Sequence, residues 1–376
     1  MNNIAFFRPS VDETEEELLK SVLSAQSVNQ DKVLEEKFSN LIGAKHAITI
    51  SNGTAALHLS MCALDLKRGD KVICSVNAYP SVPEVVRHFD AEPIFVDVYE
   101  DSYTLNLDDL EDILSKNTSK KLKAVIFTHI GGRIADLDRL YAIGKKYKIK
   151  VVEDASEALG STYNGKKLGA TGADITTFTF SSHLKGNVAK GGMLVTNDDV
   201  LYERALLLRN HGIEIKGDKD SSMHYVYDVL DIGCNYSMGD IESAYIIAQL
   251  GKLDKHINRH KEIASVYNSK LKNLPHITLP VLDSNDAHQL YIIKIDRNRD
   301  NFARELQKRG IETGLHYIAL HRLTYYKEKY NLRVNDFPIS LQNYQQILSI
   351  PLYADLSNEE VDYICEQISD VASHWV

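Results

Sequence analysis

The length, composition and charge of the chain exclude several classes of protein. It has 376 residues, of which 44% are apolar and 25% are charged, and its formal net charge is −9. The negative charge argues against nucleic acid as the main partner, because a phosphate backbone requires a basic surface. No apolar run reaches the length of a membrane span, and neither a membrane partner nor a signal peptide is expected.

Four cysteines are scattered along the chain without C-x-x-C spacing: Cys62, Cys74, Cys234 and Cys365. This pattern predicts neither a disulfide framework nor a zinc site. We interpret the cysteines as small buried apolar residues and expect no metal. With no signal peptide expected, the cysteine usage indicates a cytoplasmic protein.

Two helices are predicted at the start of the chain. A capping box of Ser10 and Glu13 predicts where the first begins. Residues 34, 38 and 41 form the apolar stripe of the second, which is expected to end at Gly43.

Strand-like apolar runs then alternate with helical segments. The predicted strands cover residues 47–50, 71–75, 93–98, 124–129, 151–154, 175–180 and 193–196, and the predicted helices between them include 54–66, 107–114 and 137–147. This alternation predicts an α/β fold with a mostly parallel central sheet covered by helices, which binds its ligand at the carboxyl ends of the strands.

Apolar runs become less frequent in the sequence after about residue 250. A long polar helix over residues 253–271 leads into a region with fewer apolar runs. We therefore predict a large domain over residues 1–250 and a smaller C-terminal α+β domain over residues 251–376.

Three polar segments after predicted strands are candidates for chemistry. Gly53 and Thr54 open a helix, where backbone N–H groups bind phosphate, although an ordinary turn capped by Asn52 or Thr54 fits the same pattern. Asp154 ends a strand and would pair with a protonated pyridine nitrogen, whereas taken alone it reads better as a helix cap. Lys185 lies in a polar loop, where a lysine either forms an imine with an aldehyde cofactor or is simply solvated.

Several sequence blocks occur together in one order over nearly the whole chain. They read SNGTAALHL (51–59), GDKVI (69–73), PIFVDV (93–98), EDASEALG (153–160), GGMLVTND (191–198), LLRNHGI (207–213), GCNYSMGDIESA (233–244), LHY (315–317) and IPLY (350–353). In these blocks the chain resembles the DegT-type sugar aminotransferases, a branch of the fold-type I enzymes that use pyridoxal 5'-phosphate (PLP). The resemblance implies the fold of the aspartate aminotransferase superfamily.

The resemblance also implies a role for individual residues. The implied cofactor-binding residues are Gly53, Thr54 and Thr179 at the phosphate, Tyr79 stacked on the pyridine ring, Asp154 at the ring nitrogen, Glu157 near the ring hydroxyl, Lys185 at the aldehyde, and Asn235 at the partner chain's phosphate. Glu157 replaces the usual glutamine or histidine, and Ser237 replaces a common arginine. The role of Asn235 implies a homodimer with a shared active site.

The lysine loop departs from the family pattern. Aligned without gaps from Phe178 to Gly192, the lysine position falls on Leu184, between His183 and Lys185. Three interpretations remain open. Compensating insertion and deletion keep Lys185 as the imine-forming lysine, or His183 acts as the base of a sugar 3-dehydratase, or the lysine is lost and the protein binds sugar without catalysis.

A further lysine, Lys190, is expected to face away from the site. Three residues nearer the C-terminus, His316, Tyr317 and His321, are candidates for the substrate pocket.

The function implied by the resemblance is amino transfer from an amino acid, expected to be glutamate, to a nucleotide-linked keto-deoxysugar. The predicted catalytic residues are Lys185, Asp154 and His183. The family also implies a place in polysaccharide biosynthesis.

Overall fold

The computed structural model describes residues 3–116, 119–180, 189–215 and 226–375. Within these residues the helices are α1 (Glu13–Leu23), α2 (Gln30–Ile42), α3 (Gly53–Ala63), α4 (Ser81–Arg87), α5 (Leu107–Lys116), α6 (Leu137–Tyr147), α7 (Asp199–Arg209), α8 (Asp240–Gly251), α9 (Leu253–Lys270), α10 (Arg299–Lys308), α11 (Thr324–Lys329), α12 (Pro338–Gln346) and α13 (Asn358–Ser373), with one 3-10 turn at Leu320–Arg322.

The strands belong to four sheets. They are β1 (His46–Ile50), β2 (Lys71–Ser75), β3 (Glu92–Val96), β4 (Leu122–Thr128), β5 (Lys150–Asp154), β6 (Thr162–Tyr163), β7 (Lys166–Lys167), β8 (Ile175–Thr179), β9 (Gly192–Thr196), β10 (Ile213–Ile215), β11 (Tyr227–Val229), β12 (Ile277–Thr278), β13 (Tyr291–Ile295) and β14 (Ile347–Ile350). The seven predicted strands all occur, each within three residues of its predicted bounds.

The central sheet has the strand order β1-β9-β8-β5-β4-β2-β3. Its neighbours pair in parallel except at β9, which is antiparallel to both β1 and β8. The other six strands therefore point the same way, and their carboxyl ends meet at one edge beside the start of β9. The prediction of a mostly parallel sheet is confirmed.

Alternate residues of the central strands enter two separate cores. Val125 and Phe127 of β4 pack in one core, while Ala124 and Ile126 pack in the other. A strand that is buried on both faces reads as a continuous apolar run, which is why these strands are visible in the sequence.

The first helix begins later than its predicted cap. Asp12 is the N-cap of α1 and forms a capping box with Glu15, so the pair Ser10 and Glu13 was wrong. Both pairs match the same short pattern, but it is the Asp12 side chain that accepts a hydrogen bond from the first turn, and Asp12 has the extended backbone of a cap.

A third core lies mainly in the C-terminal part of the chain. It is built on α9, α10, α13, β13 and β14, and it also includes Ile4, which bridges to Ile311. Leu320 and Tyr326 instead pack in the core that contains α3. The division of the chain at residue 250 stays a prediction.

In the described part of the chain, no helix combines the length and apolarity needed to cross a lipid bilayer.

Candidate active site

Polar residues from several strand ends surround one cavity at the carboxyl edge of the central sheet. Its volume is about 330 Å³, within the usual range of small-molecule sites. The lining residues are Asn52, Gly53, Thr54, Leu57, Tyr79, Ser81, Thr128, His129, Asp154, Ser156, Glu157, Thr179, Lys190 and Tyr317. Six of the predicted cofactor-binding residues are among them: Gly53, Thr54, Tyr79, Asp154, Glu157 and Thr179.

The turn between β1 and α3 forms one wall of the cavity. Asn52 caps α3, its side-chain oxygen accepting a hydrogen bond from the backbone N–H of Ala55 at 2.9 Å. A methyl group added to Gly53 would lie 2.7 Å from Cβ of Thr179, so only glycine leaves room for that side chain. The first N–H groups of the capped helix lie beside the Thr179 side chain, an arrangement that can also bind an anion.

Asp154 lies at the end of β5 and is only 3% exposed. Its Oδ1 accepts hydrogen bonds from the hydroxyl and the backbone N–H of Ser156, at 2.5 and 3.2 Å. No helix begins here in the described residues, so the interpretation as a helix cap was wrong. A carboxylate held in this way at a cavity wall can pair with a cationic ring nitrogen.

Tyr79 follows β2 and presents its ring to the cavity, with 46% of the residue exposed. The ring meets that of Tyr317 edge to face, with the centroids 5.7 Å apart. An exposed aromatic ring at a cavity wall suits stacking on a flat ligand.

Glu157 is a buried acid of the cavity wall. The Tyr317 hydroxyl donates a hydrogen bond to Oε1 of Glu157, and the backbone N–H of Gly131 donates to Oε2 at 2.8 Å. Burial and the neighbouring carboxylate of Glu157 raise the pKa of Tyr317 above its ordinary value. The substitution that departs from the family pattern is therefore supported by two donors.

His129 lines the cavity but was not predicted as a site residue. Its Nε2 lies 3.7 Å from a carboxylate oxygen of the fully buried Glu153, which also accepts a hydrogen bond from the Tyr141 hydroxyl at 2.5 Å. The signal in the sequence was a polar residue directly after β4, since strand ends of this sheet meet at the cavity.

Lys190 also lines the cavity, so the expectation that it faces elsewhere was wrong. It directly precedes Gly191 and Gly192, at the point where the chain turns into β9. A methyl group on Gly192 would lie 2.5 Å from the carbonyl oxygen of Asn52, so the two turns are in close contact. This contact holds Lys190 near the turn of Gly53 and Thr54, which is called the phosphate-type turn below.

The predicted lysine loop lies outside the described residues, and with it Lys185 and His183. Asn235 is exposed and does not line the cavity of its own chain. Its backbone forms an isolated antiparallel bridge with Asn210.

Of the three C-terminal pocket candidates, only Tyr317 lines the cavity. His316 is buried, with its ring hydrogen-bonded to the Ser349 hydroxyl at 2.8 Å. His321 is also buried, with Nε2 at 3.2 Å from the carbonyl oxygen of Val334. Neither histidine lines the cavity, and each ring is held by a hydrogen bond within the protein.

The cavity fits a flat, phosphorylated, basic heterocycle. It offers helix N–H groups and the Thr179 hydroxyl for a phosphate, the Asp154 carboxylate for a protonated ring nitrogen and the Tyr79 ring for stacking. These features together define a cofactor-binding enzyme of the α/β class.

Comparison with known proteins identifies the family. Residues 9–369 match the model of the DegT/DnrJ/EryC1/StrS aminotransferase family, and the chain belongs to that family. Its members depend on PLP.

The chain is similar to individual relatives over nearly the full length of both proteins. The chain is 33% identical to the uncharacterized protein MJ1066 of Methanocaldococcus jannaschii, covering 98% of this chain and 97% of the relative. A solved structure of the protein named as sugar aminotransferase Spr1654 from Streptococcus pneumoniae, in its pyridoxamine phosphate (PMP) form, has a TM-score of 0.90 at 27% identity. The match covers 99% of this chain and 98% of that chain. DesV of S. venezuelae has a TM-score of 0.87 at 25% identity, covering 100% of each chain.

Proposed function

We propose that this protein transfers an amino group from an amino acid, glutamate in the first instance, to a nucleotide-linked keto-deoxysugar, and that its active site is shared between two copies of the chain. The observation that carries the proposal is the convergence of the Gly53–Thr54 turn, Tyr79 and Asp154 on one cavity. Two further predictions, a cytoplasmic location and a place in polysaccharide biosynthesis, accompany it.

Each side chain has a separate task in this proposal. When bound, PLP supplies an aldehyde for the amino group and a ring that withdraws electrons. Asp154 keeps a proton on the ring nitrogen, and Tyr79 fixes the plane of the ring. Lys185 is assigned the role of the general base that takes a proton from Cα of the amino donor.

The identity of the attached lysine is the first question for experiment. The protein loaded with PLP is treated with borohydride, and the labelled peptide is located by mass spectrometry. We expect the label on Lys185 and its loss in Lys185→Ala. Lys190→Ala is the matched control, because Lys190 also lines the cavity. A label on Lys190 instead would contradict the assignment of Lys185.

The reaction itself requires a second experiment. We expect glutamate to convert the bound PLP to its amine form, and a nucleotide-linked keto-deoxysugar to restore the starting spectrum while gaining nitrogen. Loss of water from the sugar without gain of nitrogen would favour the dehydratase with His183 as base. Binding of the sugar with no turnover would favour a non-catalytic relative.

The shared active site is supported by Asn235, which is exposed and is not among the residues that line the cavity of its own chain. Lys185→Ala and Asn235→Ala are expected to be impaired as separate homodimers. Mixed dimers of the two variants would restore one intact site, so activity should return toward half of the unmodified level. Failure to restore activity in a verified mixed dimer would contradict a shared site.

A further inference from the structure

A cluster of one histidine and two cysteines lies apart from the residues that line the cavity. His58 and Cys62 are one turn apart on α3, and Cys234 comes from the segment between β11 and α8. The imidazole nitrogen and the two sulfur atoms all lie within 4.8 Å of one another. Both cysteines are free thiols.

We propose that His58, Cys62 and Cys234 bind one zinc ion or a similar thiophilic divalent cation. This departs from the expectation of no metal site. That expectation rested on short-range C-x-x-C spacing, which the pair Cys62 and Cys234 does not have.

The spacing of the Cys62 and His58 donor atoms matches that of two ligands in a tetrahedral site. With Zn–S bonds of about 2.3 Å and Zn–N bonds of about 2.0–2.1 Å, a tetrahedron places sulfur and nitrogen about 3.6 Å apart and two sulfurs about 3.8 Å apart. Sγ of Cys62 lies 3.6 Å from Nδ1 of His58. If the sulfur of Cys234 lies at the 4.8 Å limit from both other donor atoms, it needs to move by about 1.2 Å to complete a tetrahedral site with the bond lengths of zinc.

A supporting donor and a further histidine lie beside the three proposed ligands. The Tyr236 hydroxyl lies 3.3 Å from Nδ1 of His58 and next to Cys234, so it can donate to a bound thiolate. The ring of His88 has its centroid 5.4 Å from that of His58. A water molecule or His88 would fill the fourth position, as in zinc sites with three protein ligands.

The donor set of one imidazole nitrogen and two thiol sulfurs is one that zinc binds in proteins. A divalent ion would displace the thiol protons by its own charge.

The site would join two parts of the proposed active site. His58 and Cys62 belong to the helix that begins at Gly53, and Cys234 precedes Asn235 directly. If the proposed function holds, the ion fixes the segment of Asn235 relative to the phosphate-type turn. The metal site itself does not depend on that function.

Cobalt(II) is the probe of choice because its colour reports its ligands. The full-length protein, loaded with PLP and freed of metal by a chelator, is titrated with cobalt. We expect the intense visible bands of tetrahedral cobalt–thiolate coordination, saturating at one ion per chain and bleached by zinc. These bands lie at longer wavelengths than PLP absorption, so the cofactor does not obscure them.

Matched variants test the ligands. Cys62→Ser and Cys234→Ser should each weaken zinc binding by about 100-fold or more, because a ligand contributes at least as much as its supporting shell. Cys74→Ala removes another free thiol from the core that contains α3 and should bind as the unmodified protein does. Circular dichroism and the melting temperature establish that each variant is folded.

Three outcomes would overturn the site. They are absence of the cobalt spectrum in the unmodified protein, equal binding by folded Cys62→Ser and Cys234→Ser variants, or a Cys62–Cys234 disulfide found by non-reducing mass spectrometry in protein that does not bind cobalt. None of these readouts uses enzymatic activity, so they are independent of whether the protein is an aminotransferase.

Discussion

The Tyr317 hydroxyl donates a hydrogen bond to the carboxylate of Glu157 inside the cavity wall, and the backbone N–H of Gly131 donates to the other carboxylate oxygen at 2.8 Å. Two donors therefore meet one acid where the family usually has a neutral or basic residue. A glutamine at position 157 keeps one acceptor oxygen, whereas an alanine keeps none. Glu157→Gln and Glu157→Ala therefore differ in whether the two buried donors still have a hydrogen-bond partner.

Glu157→Gln should preserve the fold. The amide oxygen can accept from Gly131, while the Tyr317 hydroxyl turns to accept from the amide N–H group, so we expect a loss of no more than about 1 kcal/mol in the free energy of unfolding. Glu157→Ala leaves two buried donors without an acceptor and should cost about 2–4 kcal/mol. Urea unfolding of both variants provides the measurement, and equal losses would contradict this account of the contact.

Asp154→Asn should separate the charge of this residue from its geometry. Asparagine keeps an oxygen for the Ser156 hydroxyl, which lies 2.5 Å from Oδ1 in the native site. On the proposed function, loss of the negative charge lowers the rate at which glutamate converts bound PLP by about 100- to 1000-fold. Ser156→Ala is the control, and it should slow the reaction far less. A native rate in Asp154→Asn, measured in a single turnover, would exclude the pairing of Asp154 with the ring nitrogen.

Gly53→Ala should weaken binding of PLP by closing the phosphate-type turn. The added methyl group meets Cβ of Thr179 at 2.7 Å, so the turn or the threonine must move. A displacement that costs about 1.4 kcal/mol already lowers affinity about tenfold. Gly251→Ala is a matched control, because nothing lies within 4 Å of the added methyl group at the end of α8. Fluorescence titration with PLP should show a tenfold or larger loss only for Gly53→Ala, and equal affinities would argue against this turn as the phosphate site.

The sequence was sufficient to predict the central sheet because its strands are short apolar runs buried on both faces. It also predicted that the polar turn after β1 lies together with Asp154 at the end of β5, since parallel strands end at one edge. Long-range contacts carry no such local signal. The partner of Glu157 lies in the segment after α10, and Cys234 approaches α3 from the segment after β11, so neither contact is visible in the spacing of the residues.

The direction in which a side chain points could not be predicted from sequence patterns either. Lys190 was expected to face away from the cavity because it adjoins a Gly-Gly turn, yet the contact between Gly192 and Asn52 holds it at the cavity wall. The interpretation of Asp154 as a helix cap failed for a similar reason. Helix caps and strand ends share the same residue types, and only the chain that follows distinguishes them.

Asp286→Asn should stabilise the protein at neutral pH. The carboxyl group is mostly covered, and burial together with the nearby charge of Asp283 raises its pKa from 3.8 to about 6. The ionised form is therefore disfavoured in the folded state. The protonated Asp286 carboxyl makes a favourable contribution to stability. This contribution is complete below the unfolded pKa of 3.8 and is lost as the pH rises through 6.

At pH 7 asparagine removes the cost of burying an ionised carboxylate. We expect the free energy of unfolding to increase by about 1–2 kcal/mol after allowing for screening by solvent. At about pH 4 the advantage should disappear, because the native aspartic acid is then protonated when folded. Urea unfolding of both proteins across this range gives the measurement, with each protein at low pH as its own control. A gain that is the same at both pH values would show that packing, and not ionisation of Asp286, is responsible. A loss at pH 7 would mean that the carboxylate is paired more strongly than burial and Asp283 allow.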